Sequence, residues 1–262
     1  MNDLENRLWP DLKEIKYLVY ENETFIVWID MDIDIDWSLN DKYDEKYHPD
    51  EEKQNALFNY VATLECIPSD HLKENIRLNY KRMIGEAIVR NLKNDFENAF
   101  KMAKSAEMFI LERNKEHSRL WYLTASGLSA IIITFLGLVL WLSRIFIQPI
   151  FGETTFYVLL ASCGGALGAL FSVIMRIGKM DLNPAGGIKL HYAEGVSRIV
   201  AGMISAIIIA SCVKLQLLIP IFTNTNNTQL AMILAGIFAG ISERWIPSLV
   251  TKIENNSNKK SK

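Results

Sequence analysis

At 262 residues the chain has room for one or two domains, and its formal net charge of −2 excludes the global positive field that nucleic-acid binding draws on. Half of its residues are hydrophobic, but they are unevenly spread: residues 1–118 are rich in charge and 120–247 carry little, as expected of a water-exposed domain joined to a membrane domain. The three cysteines, Cys66, Cys163 and Cys212, lack metal-ligand spacing and do not form a disulfide framework.

The opening MNDLENRLWPDLKE has no basic stretch followed by an apolar run, so no signal peptide is expected and the charged domain is expected to stay in the cytoplasm. Residues 2–20 read as one or two short helices, with Leu12, Ile15, Leu18 and Val19 at helical spacing. Thr24–Trp37 reads as one strand in which Ile29, Met31, Ile33 and Ile35 alternate with Asp30, Asp32, Asp34 and Asp36. That register puts four carboxylates on one strand face. The functional reading is a cation site or a dock for a basic soluble partner; the plain reading is a solvated or aggregation-protected edge. An EF-hand is a poor match, because Ile35 stands where the turn glycine belongs. Residues 38–50 read as a polar loop, with His48 solvated.

Glu51–Ile67 reads as a helix. Residues 71–118 contain no proline and one glycine, Gly85, and read as a single long helix. Its apolar seam (Ile88, Leu92, Phe96, Ala99, Ala103, Ala106, Ile110) suits either packing within the chain or bundling with other copies.

Four apolar segments follow, about 120–143, 154–175, 196–222 and 229–249, each near the ~20 residues that cross a bilayer. The basic side chains of loop 176–195 and of the C-terminal tail, against the uncharged TNTNNT at 223–228, place both termini in the cytoplasm by the positive-inside rule. Arg176, Arg198 and Glu243 should then share one depth. A carboxylate at membrane depth needs a partner, so Glu243 is expected to pair with Arg198, Arg176 or Arg244, with Glu194 as a further acid. This cluster either staples the bundle or marks an ion path. Gly164, Gly165, Gly168, Gly202, Gly236 and Gly240 are expected at close helix–helix contacts.

The expected architecture is therefore an all-α four-helix transmembrane bundle (119–249) carrying a cytosolic α+β domain (1–70), a long cytosolic helix (71–118) and a flexible basic tail (250–262). No nucleophile–base pair, metal motif, Walker loop or dinucleotide fingerprint is visible, so neither catalysis nor a cofactor is expected.

GALGALFSVIMRIGK at 165–179, the stretch 183–206 with Glu194-Gly195-x-x-Arg198, and AGIFAGISERWIP at 235–247 resemble a group of bacterial integral membrane proteins. In that group a Gly-rich span ends in Arg and an Ala-Gly-Phe-Ser-Glu-Arg-x-x-Pro motif closes the last span; here Ile241 stands in place of its Phe. The resemblance covers roughly the C-terminal 100 residues, not the charged domain. It implies a bacterial integral membrane protein similar to membrane components of anti-phage and stress-response systems. There a cytosolic domain senses and a membrane domain acts on the bilayer. The leading reading is a homo-oligomeric inner-membrane effector or sensor. The other readings of the residues are a channel or transporter subunit, and a scaffold docking a soluble partner.

Overall fold

The computed structural model describes residues 8–9, 15–45, 50–215 and 227–242. The chain divides into two compact units, 1–116 and 117–262.

The first unit is α+β. Strands β1 (Ile15–Glu21), β2 (Phe25–Asp30) and β3 (Ile35–Leu39) form one antiparallel sheet in that order. The helix expected over 2–20 is replaced, where described, by β1. Its IKYLVYE is rich in aromatic and β-branched side chains, and pairing with β2 (Leu18 opposite Trp28, Tyr20 opposite Val27) overrides a weak helical spacing. The single strand expected over 24–37 is instead a hairpin. Ile33 takes a left-handed φ of 68°, and the amide of Asp34 donates to Asp30 Oδ1 at 2.8 Å while that of Ile33 donates to the Asp30 carbonyl. Ile29 then pairs with Ile35. Local Asx hydrogen bonding competes here with continued extension and wins.

Helix α1 (Asp41–Asp44) occupies part of the expected loop, and α2 (Glu51–Glu65) is capped by Asp50, whose carboxylate accepts from the Lys53 amide at 3.1 Å. His48 lies outside the described residues. The long helix expected over 71–118 is broken into α3 (Glu74–Leu92) and α4 (Phe96–Leu142). Asn94 has a φ of 63°, and the amides of Asn94 and Asp95 donate to the carbonyls of Asn91 and Arg90. These are the two bonds of a Schellman stop, and asparagine is among the few residues that accept its left-handed position. Ala99, Ala103, Ala106 and Ile110 are fully buried in one core with Tyr80, Ile84 and Ile88 of α3 and Val27 and Ile29 of β2. The apolar seam is thus filled within the chain, and its alanines admit the close approach.

The second unit contains the later part of α4, then α5 (Arg144–Phe151), α6 (Glu153–Arg176), a short 3₁₀ turn (Ile177–Lys179), α7 (Ile188–Lys214) and α8 (Thr228–Ile241). Among the described residues three helices are long and apolar enough to cross a membrane: Phe96–Leu142, Glu153–Lys179 and Ile188–Lys214. Helix α8 has 14 residues, roughly 21 Å at about 1.5 Å each; the rest of the expected fourth span, 243–249, lies outside the described residues. The stretch 188–195, expected as loop, is the first part of α7. The turn before it is closed by Asn183, whose side chain and carbonyl accept from the amides of Ala185 and Gly186, and helical burial at His191, Gly195, Ile199 and Gly202 starts at once.

Helices α6, α7 and α8 meet through glycines. A Cβ on Gly165 would lie 2.5 Å from both the Gly202 carbonyl and the Ala206 Cβ, and one on Gly236 would lie 2.6 Å from the Ala161 carbonyl. One on Gly168 would meet the Ile237 carbonyl, one on Gly240 the Gly165 carbonyl, and one on Gly164 the Ile237 side chain. Outward the same unit exposes Phe135, Leu142, Phe171, Met175, Ile204 and Phe238. An apolar exterior over a small-residue interior is the pattern of a lipid-embedded bundle.

Candidate functional site

Three residues of the expected polar cluster are described, Arg176 on α6 and Glu194 and Arg198 on α7. Arg176, the last residue of α6, donates from Nε to the Ser172 carbonyl at 3.2 Å and from Nη2 to the Ser172 hydroxyl. Arg198 lies on α7, within electrostatic reach of Arg176. Both guanidinium groups and Glu194 act on Tyr122 of α4, which is buried. Tyr122 is held close to α7 because Gly195 has no side chain: a Cβ there would lie 2.7 Å from the Tyr122 carbonyl. Ser126 fastens the same crossing, its hydroxyl donating to that carbonyl at 2.8 Å and lying 3.3 Å from the Gly195 carbonyl. Arg119 reaches the Gly178 carbonyl at 3.4 Å.

Glu194 has a partner that the sequence alone did not assign. Its Oε2 accepts from His191 Nδ1 at 3.0 Å. His191 is completely buried, stacks on Trp121 with ring centroids 6.2 Å apart, and its Nε2 has no hydrogen-bond partner among the described residues. An ionised carboxylate only accepts, so Nδ1 is the donor to Glu194 and Nε2 is the ring nitrogen left over. That nitrogen faces the 183–187 turn, where a Cβ on Gly186 would come within 2.8 Å of it.

No family model, curated protein or solved structure matches this chain. The chemistry of the site therefore rests on the geometry alone. Of the residues expected to cluster, Arg176, Arg198 and Glu194 lie within electrostatic reach of Tyr122, while Glu243 and Arg244 lie outside the described residues. Two guanidinium groups, a phenol and a His–Glu couple can hold an anionic group or exchange a proton. In the sequence, Trp121 and Tyr122 read as an aromatic interface anchor and His191 as an interfacial aromatic or a ligand contact, so none of the three is assigned there to this cluster. The available signal was the i, i+3 spacing of His191 and Glu194, legible only once 188–195 is read as helix.

The acidic stretch is arranged differently from the expected ladder. Asp30 ends β2, Asp32 and Asp34 lie in the turn, and Asp36 sits on β3 opposite Trp28. Lys81 of α3, nearly buried, reaches Asp34 Oδ1 at 3.1 Å and Glu65 Oε1 at 3.2 Å. Burial first, and then repulsion from Asp30 and Asp34, push the Asp36 carboxyl above its ordinary range, against a smaller pull from Lys81. Among the described residues no three His, Cys, Asp or Glu side chains are grouped to hold a metal. Lys81 offsets only part of the hairpin's negative charge, and Asp32, Asp34 and Asp36 stay exposed.

Proposed function

We propose that this chain is a homo-oligomeric bacterial inner-membrane effector or sensor, in which the cytosolic α+β unit controls a four-span bundle during anti-phage defence or a stress response. The observation that supports membrane action is the second unit itself: helices packed through glycines and covered outside by large apolar side chains. The assignment to defence is supported by the resemblance of 165–179, 183–206 and 235–247. In this reading Glu243 completes the polar end of the bundle against Arg198, Arg176 or Arg244, and the cluster sets the equilibrium between a tight and a leaky bundle.

The reading is tested by infecting cells that carry the chain with a phage panel while a dye reports membrane potential. Cells with the natural chain should show reduced plaque formation and early depolarisation for at least one phage, and Glu243→Gln and Arg198→Gln should abolish both. Equal plaque counts and equal potential in all three strains, with the chain verified in the membrane fraction, would reject it. A scaffold is the outcome if protection persists without any change in potential.

A further inference from the structure

Helix α5 has eight residues, RIFIQPIF, and none of them is buried. Ile145, Phe146 and Ile150 are 73%, 76% and 75% exposed, higher than any other large apolar side chain described. At about 100° per residue, Ile145, Phe146, Pro149 and Ile150 share one face, while Arg144, Ile147, Gln148 and Phe151 share the other. A face of this kind is not left in water, and the depth of its two ends says what covers it.

Residues 120–143 contain no charged side chain, and as helix they rise roughly 36 Å, enough for a ~30 Å hydrocarbon layer. Arg119 and Arg144 bracket that run, so Arg144 emerges at the leaflet opposite the Arg176–Arg198 end. The return path gives the same level. Helix α6 runs from Glu153 to Arg176, 24 residues or again roughly 36 Å, which puts Glu153 on the Arg144 side. Two charged residues at one depth therefore flank a helix roughly 12 Å long, and such a helix runs along the surface.

Three local features fit that level. The Arg144 guanidinium sits over the Trp141 ring, 5.1 Å from its centroid, an aromatic and basic pair suited to the headgroup layer. Gly152, with a φ of 82°, turns the chain from α5 into α6. Pro149 removes the amide that would bond the Ile145 carbonyl, and that carbonyl is satisfied at a hydrated interface far better than in hydrocarbon.

We propose that α5 is an interfacial helix that lies flat in the leaflet opposite the Arg176–Arg198 cluster, with its Ile145–Phe146–Pro149–Ile150 face in the acyl-chain boundary of a phospholipid surface. The proposal rests on the reading that α4 and α6 cross the bilayer. It makes α5 a lipid anchor that couples the outer leaflet to the ends of two spans.

The test uses the full chain in phospholipid vesicles, with Cys66, Cys163 and Cys212 replaced by serine or alanine and one nitroxide attached at a time through Phe146→Cys, Ile150→Cys or Leu136→Cys. Collision with oxygen reports lipid, and collision with a neutral nickel chelate reports water. Leu136 should be oxygen-accessible and nickel-protected; Phe146 and Ile150 should also favour oxygen, at a shallower depth of about 5–10 Å below the headgroups. Leu136 in lipid with Phe146 and Ile150 as nickel-accessible as a nitroxide at exposed Lys104 would overturn the anchor and leave the spans standing. Both α5 sites shielded from both reagents would also overturn it, by showing protein over the helix. Nickel access at Leu136 would end the spanning reading itself. Ile150 serves where the Phe146 variant fails to fold.

Discussion

Asp36 shows how one residue of the hairpin sets a pH dependence. Its carboxyl is raised by burial and then by Asp30 and Asp34, more than Lys81 lowers it. A carboxyl that is harder to ionise in the folded state than in the unfolded state favours folding while it is protonated. Its contribution is full below the ordinary carboxylate range and fades as pH rises through the elevated folded value. At pH 7 the ionised group therefore opposes folding. Asp36→Asn should stabilise the detergent-solubilised protein at pH 7 by a few tenths of a kcal/mol, the scale of screened surface charge, and the gain should shrink toward zero below about pH 4. Thermal unfolding at the two pH values measures this. A gain that ignores pH would mean that the amide acts through packing. The Tyr60 phenol needs no such test near neutrality: burial, followed by its 2.6 Å hydrogen bond to Glu107, pushes it up to about 12.

Among the elements, the glycine contacts carry the sharpest expectation. Gly165→Leu would drive a side chain into the Gly202 carbonyl and the Ala206 Cβ; backbone cannot step aside as a side-chain tip can. The substitution should cost about 3 kcal/mol, the upper part of the overpacking range, and lower the melting temperature in detergent. A Cβ added to Gly127 on α4 would meet nothing within 4 Å, so Gly127→Leu should fall within about 0.5 kcal/mol of the parent. Equal loss from both would remove close packing as the role of Gly165. These glycines were legible in the sequence because small-xxx-small spacing inside an apolar run has few other uses. The breaks were not. Asn94 ends α3 with a conformation that ordinary propensity ignores, and Ile33 turns a hairpin through a left-handed angle that its own side chain disfavours. Both are decided by local backbone hydrogen bonds. Likewise counting residues brought Arg176 and Arg198 near one another, as their electrostatic contact shows, whereas the His191–Glu194 couple depended on where α7 begins.

Across the whole molecule, charge distribution bears on the number of membrane crossings. Among the described residues three helices are long enough to span, and an odd number of crossings would put the two termini on opposite sides. Helix α8, roughly 21 Å long over its 14 residues, falls short of a ~30 Å layer. It completes a fourth crossing only if the chain continues inward through 243–249, past Glu243, Arg244 and Trp245. The proposed four-span reading requires that course. Lys252, Lys259, Lys260 and Lys262 follow, and basic tails are retained on the cytoplasmic side. An epitope tag placed after Lys262 should therefore resist protease in intact spheroplasts and be removed in inverted membrane vesicles, together with a tag placed before Met1. Alkaline carbonate should leave the chain in the pellet. Removal of the C-terminal tag from spheroplasts, with the N-terminal tag protected, would fix the number of crossings as odd and dissolve the proposed pairing of Glu243 with the arginines, because Glu243 would then lie at the opposite face from Arg176 and Arg198.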